Sequence, residues 1–160
     1  HCGKAFAGRI VSNEPKPTTP DSFEGKPLVM HVRGCEDPAK GLRVPFHVGD
    51  DHSRTWVLTR TAEGLRLKHD HRHEDGSEDK VTQYGGTTSN SGSATLQFFP
   101  ADQQTCDLIP NAAANVWWIT LDETSFTYNL RRIGSDRLFT VKFDLTKTVP
   151  TPSAPWGWKN

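Results

Sequence analysis

The sequence predicts an all-β domain whose antiparallel strands run as a meander, closing into a barrel or, as the alternative, packing as a sandwich. Three observations carry this expectation. Apolar residues recur with a period of two between residues 27 and 145, which places one side chain in two on a buried face. Glycine- and aspartate-rich turn signals separate these runs at short intervals. Only 100–115, "PADQQTCDLIPNAAAN", reads as helix, and Pro110 interrupts it after one or two turns.

In chain order the predicted strands begin with "PLVMHVRG" (27–34) and "RVPFHVG" (43–49). "TWVLTRT" (55–61) and "LRLKHDHRH" (65–73) flank Ala62-Glu63-Gly64, a hairpin connection with glycine where positive φ is useful. "VTQY" (81–84) follows the turn "EDGSED", and "YGG" (84–86) reads as a turn device. "SATLQFF" (93–99) comes after the polar loop "TTSNSGS" (87–93). "VWWITL" (116–121), "FTYNLRR" (126–132) and "LFTVKFDL" (138–145) are joined by the turns "DETS" and "GSDR". Eight or nine short strands joined in this way favour a barrel of lipocalin or calycin shape over a Greek-key sandwich. In the pair Trp117-Trp118 one ring faces the core; the other is expected under the C-terminal tail or on a ligand-stacking surface.

A chain of 160 residues is most simply one domain, 1–160. Proline-rich stretches at 13–20 and 148–160 read as arms, the second docked across the body through Trp156 and Trp158. Nineteen basic and nineteen acidic residues balance, so the charge footprint of a nucleic-acid binder is missing and no such partner is expected. No apolar run reaches the roughly 20 residues of a membrane helix. Three cysteines without a CxxC pair argue against a zinc ribbon. Spacing leaves Cys2–Cys35 and Cys35–Cys106 both open; the expectation is a disulfide at Cys35, with Cys2 taken ahead of Cys106. The initial histidine is compatible with a processed, exported chain or with the remnant of a tag.

The stretch "LRLKHDHRHEDG" (65–76) carries the chemistry. His69, His71 and His73 continue the face begun by Leu65 and Leu67 and are expected to point inward. Residues two apart on one face lie about 7 Å from each other, so two imidazoles can converge on a transition metal if a facing strand supplies a third ligand. His47 and His52, with His31 behind them, are the candidates. Asp70, Asp50 and Asp51 are the carboxylates expected to orient ligand imidazoles. The expected cofactor is copper or zinc, and the expected partner a metal ion or small molecule. The plain alternative is that the strand frays and its histidines sit half-solvated.

The segments "DDHSRTWVLTRTAEGLRLKHDHRHEDGSEDKVTQYGG" (50–86), "FPAD" (99–102) and "APWGW" (154–158) resemble stretches of a group of exported bacterial proteins. The resemblance spans the larger part of the chain. It implies a secreted or periplasmic, β-rich protein and carries no activity. A free His1 resembles, on that residue alone, the copper brace of lytic polysaccharide monooxygenases, which makes a copper-dependent oxidative enzyme one alternative function. A structural or interaction protein with no occupied site is the other.

Overall fold

The computed structural model describes residues 1–159 and contains ten strands in one antiparallel sheet. They are β1 (Ala5–Glu14), β2 (Leu28–His31), β3 (Leu42–Val48), β4 (Asp51–Thr61), β5 (Gly64–His71), β6 (Tyr84–Thr87), β7 (Leu96–Pro100), β8 (Asn115–Leu121), β9 (Ser125–Arg132) and β10 (Leu138–Val149). One short helix, α1 (Gln103–Leu108), is followed by a 3-10 turn at Pro110–Ala112. The helix starts at Asp102, whose carboxylate accepts from the Thr105 N–H, and it ends before Pro110.

The sheet order is β6-β5-β4-β3-β2-β1-β10-β9-β8-β7. Every neighbour but one is also the neighbour in sequence; the exception is the first strand against the last. This is the predicted meander, nearly closed into a barrel. At the seam between β6 and β7 there is no ladder among the described residues. Instead, the Asp102 N–H and the Thr105 hydroxyl donate to the Gly85 carbonyl at 2.9 and 2.8 Å, so α1 closes the gap. "YGG" belongs to β6 and is not a turn, which corrects the sequence reading. A Cβ at Gly86 would collide with the Pro100 carbonyl, and Gly85 has φ +152°. Close approach of two backbones explains both glycines. The strand expected at 81–84 begins only at Tyr84.

The inner face is apolar and aromatic: Phe6, Phe46, Trp56, Trp117, Val141 and Phe143 are all buried. At roughly 1.5–3 kcal/mol for each large side chain removed from water, this face supplies the main favourable term in folding. Trp117 lies in it, whereas Trp118 packs beside Phe98 on the outside, 6.3 Å between centroids. The tail does not cover Trp118. It crosses the outer face of β3–β5, where the Trp156 N–H donates to the His52 carbonyl at 3.1 Å. Trp158 lies between the Arg43 and Arg72 guanidiniums, 4.2 and 5.1 Å from its ring.

The proline-rich segment after β1 is a loop, not a terminal arm. It returns Phe23 to one end of the barrel, where its ring packs on Phe139 (5.2 Å) and Phe46 (5.9 Å). Cys2 and Cys35 form a disulfide with Cα atoms 6.1 Å apart, tying the first residues to the segment after β2. Cys106 is free. No helix among the described residues is long and apolar enough to cross a membrane.

Candidate functional site

β5 carries the change from leucine to histidine from the barrel interior to its rim. Leu67 is fully buried, His69 is 6% exposed, His71 is half-buried and His73 is exposed in the turn that follows. His69 pairs with Trp56 across the ladder, so the alternation that buries Trp56 also buries His69. Its Nδ1 lies 2.9 Å from the Tyr84 carbonyl, which can only accept, so Nδ1 carries the proton. Nε2 then accepts from the Tyr128 hydroxyl at 2.6 Å. The ring is stacked on Tyr84 at 4.4 Å. Burial pulls the His69 pKa down to about 4 and raises that of Tyr128 well above its ordinary value. His69 is a neutral, fully bonded imidazole with no lone pair left for a metal.

His71 faces the rim. Its Nδ1 is 3.3 Å from the Asp79 carboxylate and its Nε2 is 3.5 Å from the Ser53 hydroxyl. Burial lowers its pKa, with the Arg54 charge acting the same way and Asp79 and Asp51 opposing. Below His71 is a pocket of about 190 Å³. Its walls are Phe46, Trp56, Tyr128 and Phe139, and Phe23 reaches over it from the β1–β2 loop. Trp56 and Tyr128 stack nearly parallel, 4.3 Å between centroids. Arg54 and Arg137 also line the pocket. Arg54 pairs with Asp51 at 2.5 Å. Burial works to raise the Asp51 pKa, but hydrogen bonds from Ser53 and Arg54 outweigh it and take the value to about 2.

The other predicted ligands lie across the sheet. His47 is on β3 next to Phe46, so when Phe46 faces inward His47 faces outward. It is 2% exposed, and its ring lies 4.1 Å from that of His52. Neither of its nitrogens has a hydrogen-bond partner among the described residues, nor has Nδ1 of His31. Burial, followed by the charges of His52, His31 and Arg33, brings the His47 pKa to about 4. His52 Nδ1 lies 3.3 Å from both the Ala154 carbonyl and the Ser153 hydroxyl.

The expected metal set of His69, His71, His73, His47 and His52 is therefore divided between two faces of the sheet. Among the described residues no three His, Cys, Asp or Glu side chains form a group that could hold a metal ion. The expected carboxylate partners have other roles. Asp70 is buried on the outer face and accepts from Arg72 Nε, Gln83 Nε2 and Trp158 Nε1, at 3.0, 2.9 and 3.0 Å respectively. It anchors the tail. Asp50 is exposed in the β3–β4 turn, and Asp51 holds Arg54. His1 is on the surface with its ring edge against Phe6, 5.2 Å away.

Sequence reasoning missed the site's other half. Trp56 and Tyr128 lie in two of the predicted strands, but nothing local marks them as pocket walls. Arg137 is the last residue of the "GSDR" turn and carries no signal at all. In comparisons with family models, curated proteins and solved structures, no match to the chain is found.

Proposed function

We propose that the chain is an exported binding module that holds a small molecule in the rim pocket of its barrel. One observation carries the reading: the inner face of β5 changes from leucine to histidine where aromatic walls enclose about 190 Å³ of space. A concave, largely aromatic pocket with a few polar groups at its mouth is the usual form of a small-molecule site. The Cys2–Cys35 disulfide supports a secreted or periplasmic location, because such bonds persist in oxidising compartments. The His69–Tyr128 bond holds the pocket floor rigid, which suits binding without rearrangement.

The test is a two-dimensional NMR titration with small aromatic fragments. The expected shifts lie on Trp56, Arg54, His71 and Tyr128. Leu130→Trp, which fills the pocket from its wall, should abolish them while the rest of the spectrum is kept. Shifts confined to other surfaces would overturn the reading.

A second reading, binding of copper or zinc, is supported by the two unpartnered nitrogens of buried His47 beside His52. It moves the metal from the predicted inner row to the outer face. Zinc and copper titrations should then lose their signal in His47→Leu and keep it in His71→Gln. The reverse pattern would reject it.

A further inference from the structure

Resting on the small-molecule reading above, we infer that the rim pocket selects a compact monocarboxylate with a single-ring body, held through Arg137. Size comes first. A cavity of about 150 Å³ is enough for benzene in an apolar protein core. The 190 Å³ here adds room for one carboxylate beside a single ring. The walls favour a compact aromatic body, since Phe23, Phe46, Trp56 and Tyr128 line the pocket as one series of stacked rings with Phe139 beside them.

Charge decides the head group. Each carboxylate near the mouth already has a partner of its own. Asp51 pairs with Arg54 at 2.5 Å, and Glu14 pairs with Lys16 at 3.6 Å. Asp21 accepts from the Asn13 amide and the Phe23 N–H. Asp79 accepts from the Val81 N–H at 3.2 Å. Asp70 contributes to the pocket lining, but its carboxylate is bound on the outer face by Arg72, Gln83 and Trp158.

Arg137 is different. Its Nη1 donates to the Asn13 side-chain oxygen at 2.7 Å and to the Glu14 carbonyl at 3.2 Å, both neutral acceptors. The guanidinium carbon lies 5.7 Å from the Phe139 ring centroid. Among the described residues no carboxylate forms an ion pair with it. These contacts fix Nη1 and leave Nε and Nη2 without hydrogen-bond partners among the described residues. That edge of the guanidinium fork suits a carboxylate, which accepts two parallel N–H bonds. A part-buried guanidinium without a counter-ion favours an anion over a neutral ligand of the same shape.

Calorimetric titration of the disulfide-bonded protein near neutral pH with benzoate and with its neutral isostere benzamide tests this. Benzoate should bind at least about tenfold more tightly than benzamide, a difference of about 1.4 kcal/mol. Arg137→Gln should remove that preference, and Arg137→Lys should restore part of it. Benzamide binding in Arg137→Gln serves as the folding control. If that variant binds neither probe, the wild-type ratio decides alone. Equal binding of both probes to the wild type would overturn the carboxylate inference and leave the pocket reading standing. Binding of neither at about 10 mM, a level that still detects very weak complexes, would overturn both.

Discussion

His69 inside the barrel and His47 on its outer face are both buried, and burial brings the pKa of each to about 4. Their surroundings differ in kind. His69 donates to the Tyr84 carbonyl and accepts from the Tyr128 hydroxyl, so both of its nitrogens are bonded. His47 has neither nitrogen bonded, and its nearest ring is another histidine 4.1 Å away. A buried polar group is tolerated when it is bonded and costly when it is not. The first histidine therefore stabilises the fold, and the second is a site where the fold carries a cost. That cost is what a metal, or release of the tail above His52, would relieve.

Acid should give the largest effect and act on both histidines together. Their folded pKa values lie below the unfolded value of about 6.5, so the unfolded chain takes up protons first as pH falls. Stability is unaffected by their titration above pH 6.5, falls progressively between about 6.5 and 4, and changes no further below that. At about 1.4 kcal/mol per pKa unit the combined loss has an upper bound of several kcal/mol, which solvent screening lowers. Urea denaturation across this range reads it. A stability flat from pH 7 to 4 would contradict the shifts. Asp51, with its pKa near 2, loses its contribution only further down, as pH falls from about 4 through 2, and is separable on that ground.

Asp70→Ala should come next, with a loss of about 2–3 kcal/mol, because it removes a buried acceptor from Arg72, Gln83 and Trp158 at once. Hydrogen exchange at the Trp156 amide, which is bonded to His52, should accelerate in this variant. Unchanged protection there would mean that the tail is held by other contacts.

Tyr128→Phe sharpens the inner half of the comparison. It leaves His69 Nε2 buried without a donor and should cost about 1–3 kcal/mol. His47→Leu is the outer counterpart and should show the smallest effect, within about 1 kcal/mol of the wild type or slightly stabilising, since it removes an unbonded polar ring. Thermal or urea unfolding measures both. If His47→Leu were as costly as Tyr128→Phe, His47 would have a partner that its protein surroundings do not provide.

The same contrast explains what was legible in the residues. The inward course of His69 followed from its spacing to Leu65 and Leu67, because strand side chains alternate. Its partner Tyr128 stands 59 positions away, and no local pattern joins them. β1 was missed for a different reason. "AFAGRIVSNE" mixes small and polar residues, and its pairing with β10 shifts register after Phe6 and again after Ile10, which breaks the alternation. β6 was misread because its two glycines look like a turn, although they are there to let Pro100 and Leu67 approach.

By itself the sequence determined the all-β meander, the short interrupted helix and the inward face of β5. All of these follow from side-chain period and turn chemistry over a few residues. Only the tertiary structure decided that His47 and His52 lie across the sheet from His69 and His71, because the face of one strand relative to another depends on register between distant segments. It also decided that Arg137, unremarkable in its turn, meets Trp56 and Phe23 at one rim, and that Asp70 holds the tail instead of a histidine. Barrel closure brings such residues together, and no local signal in the chain records it.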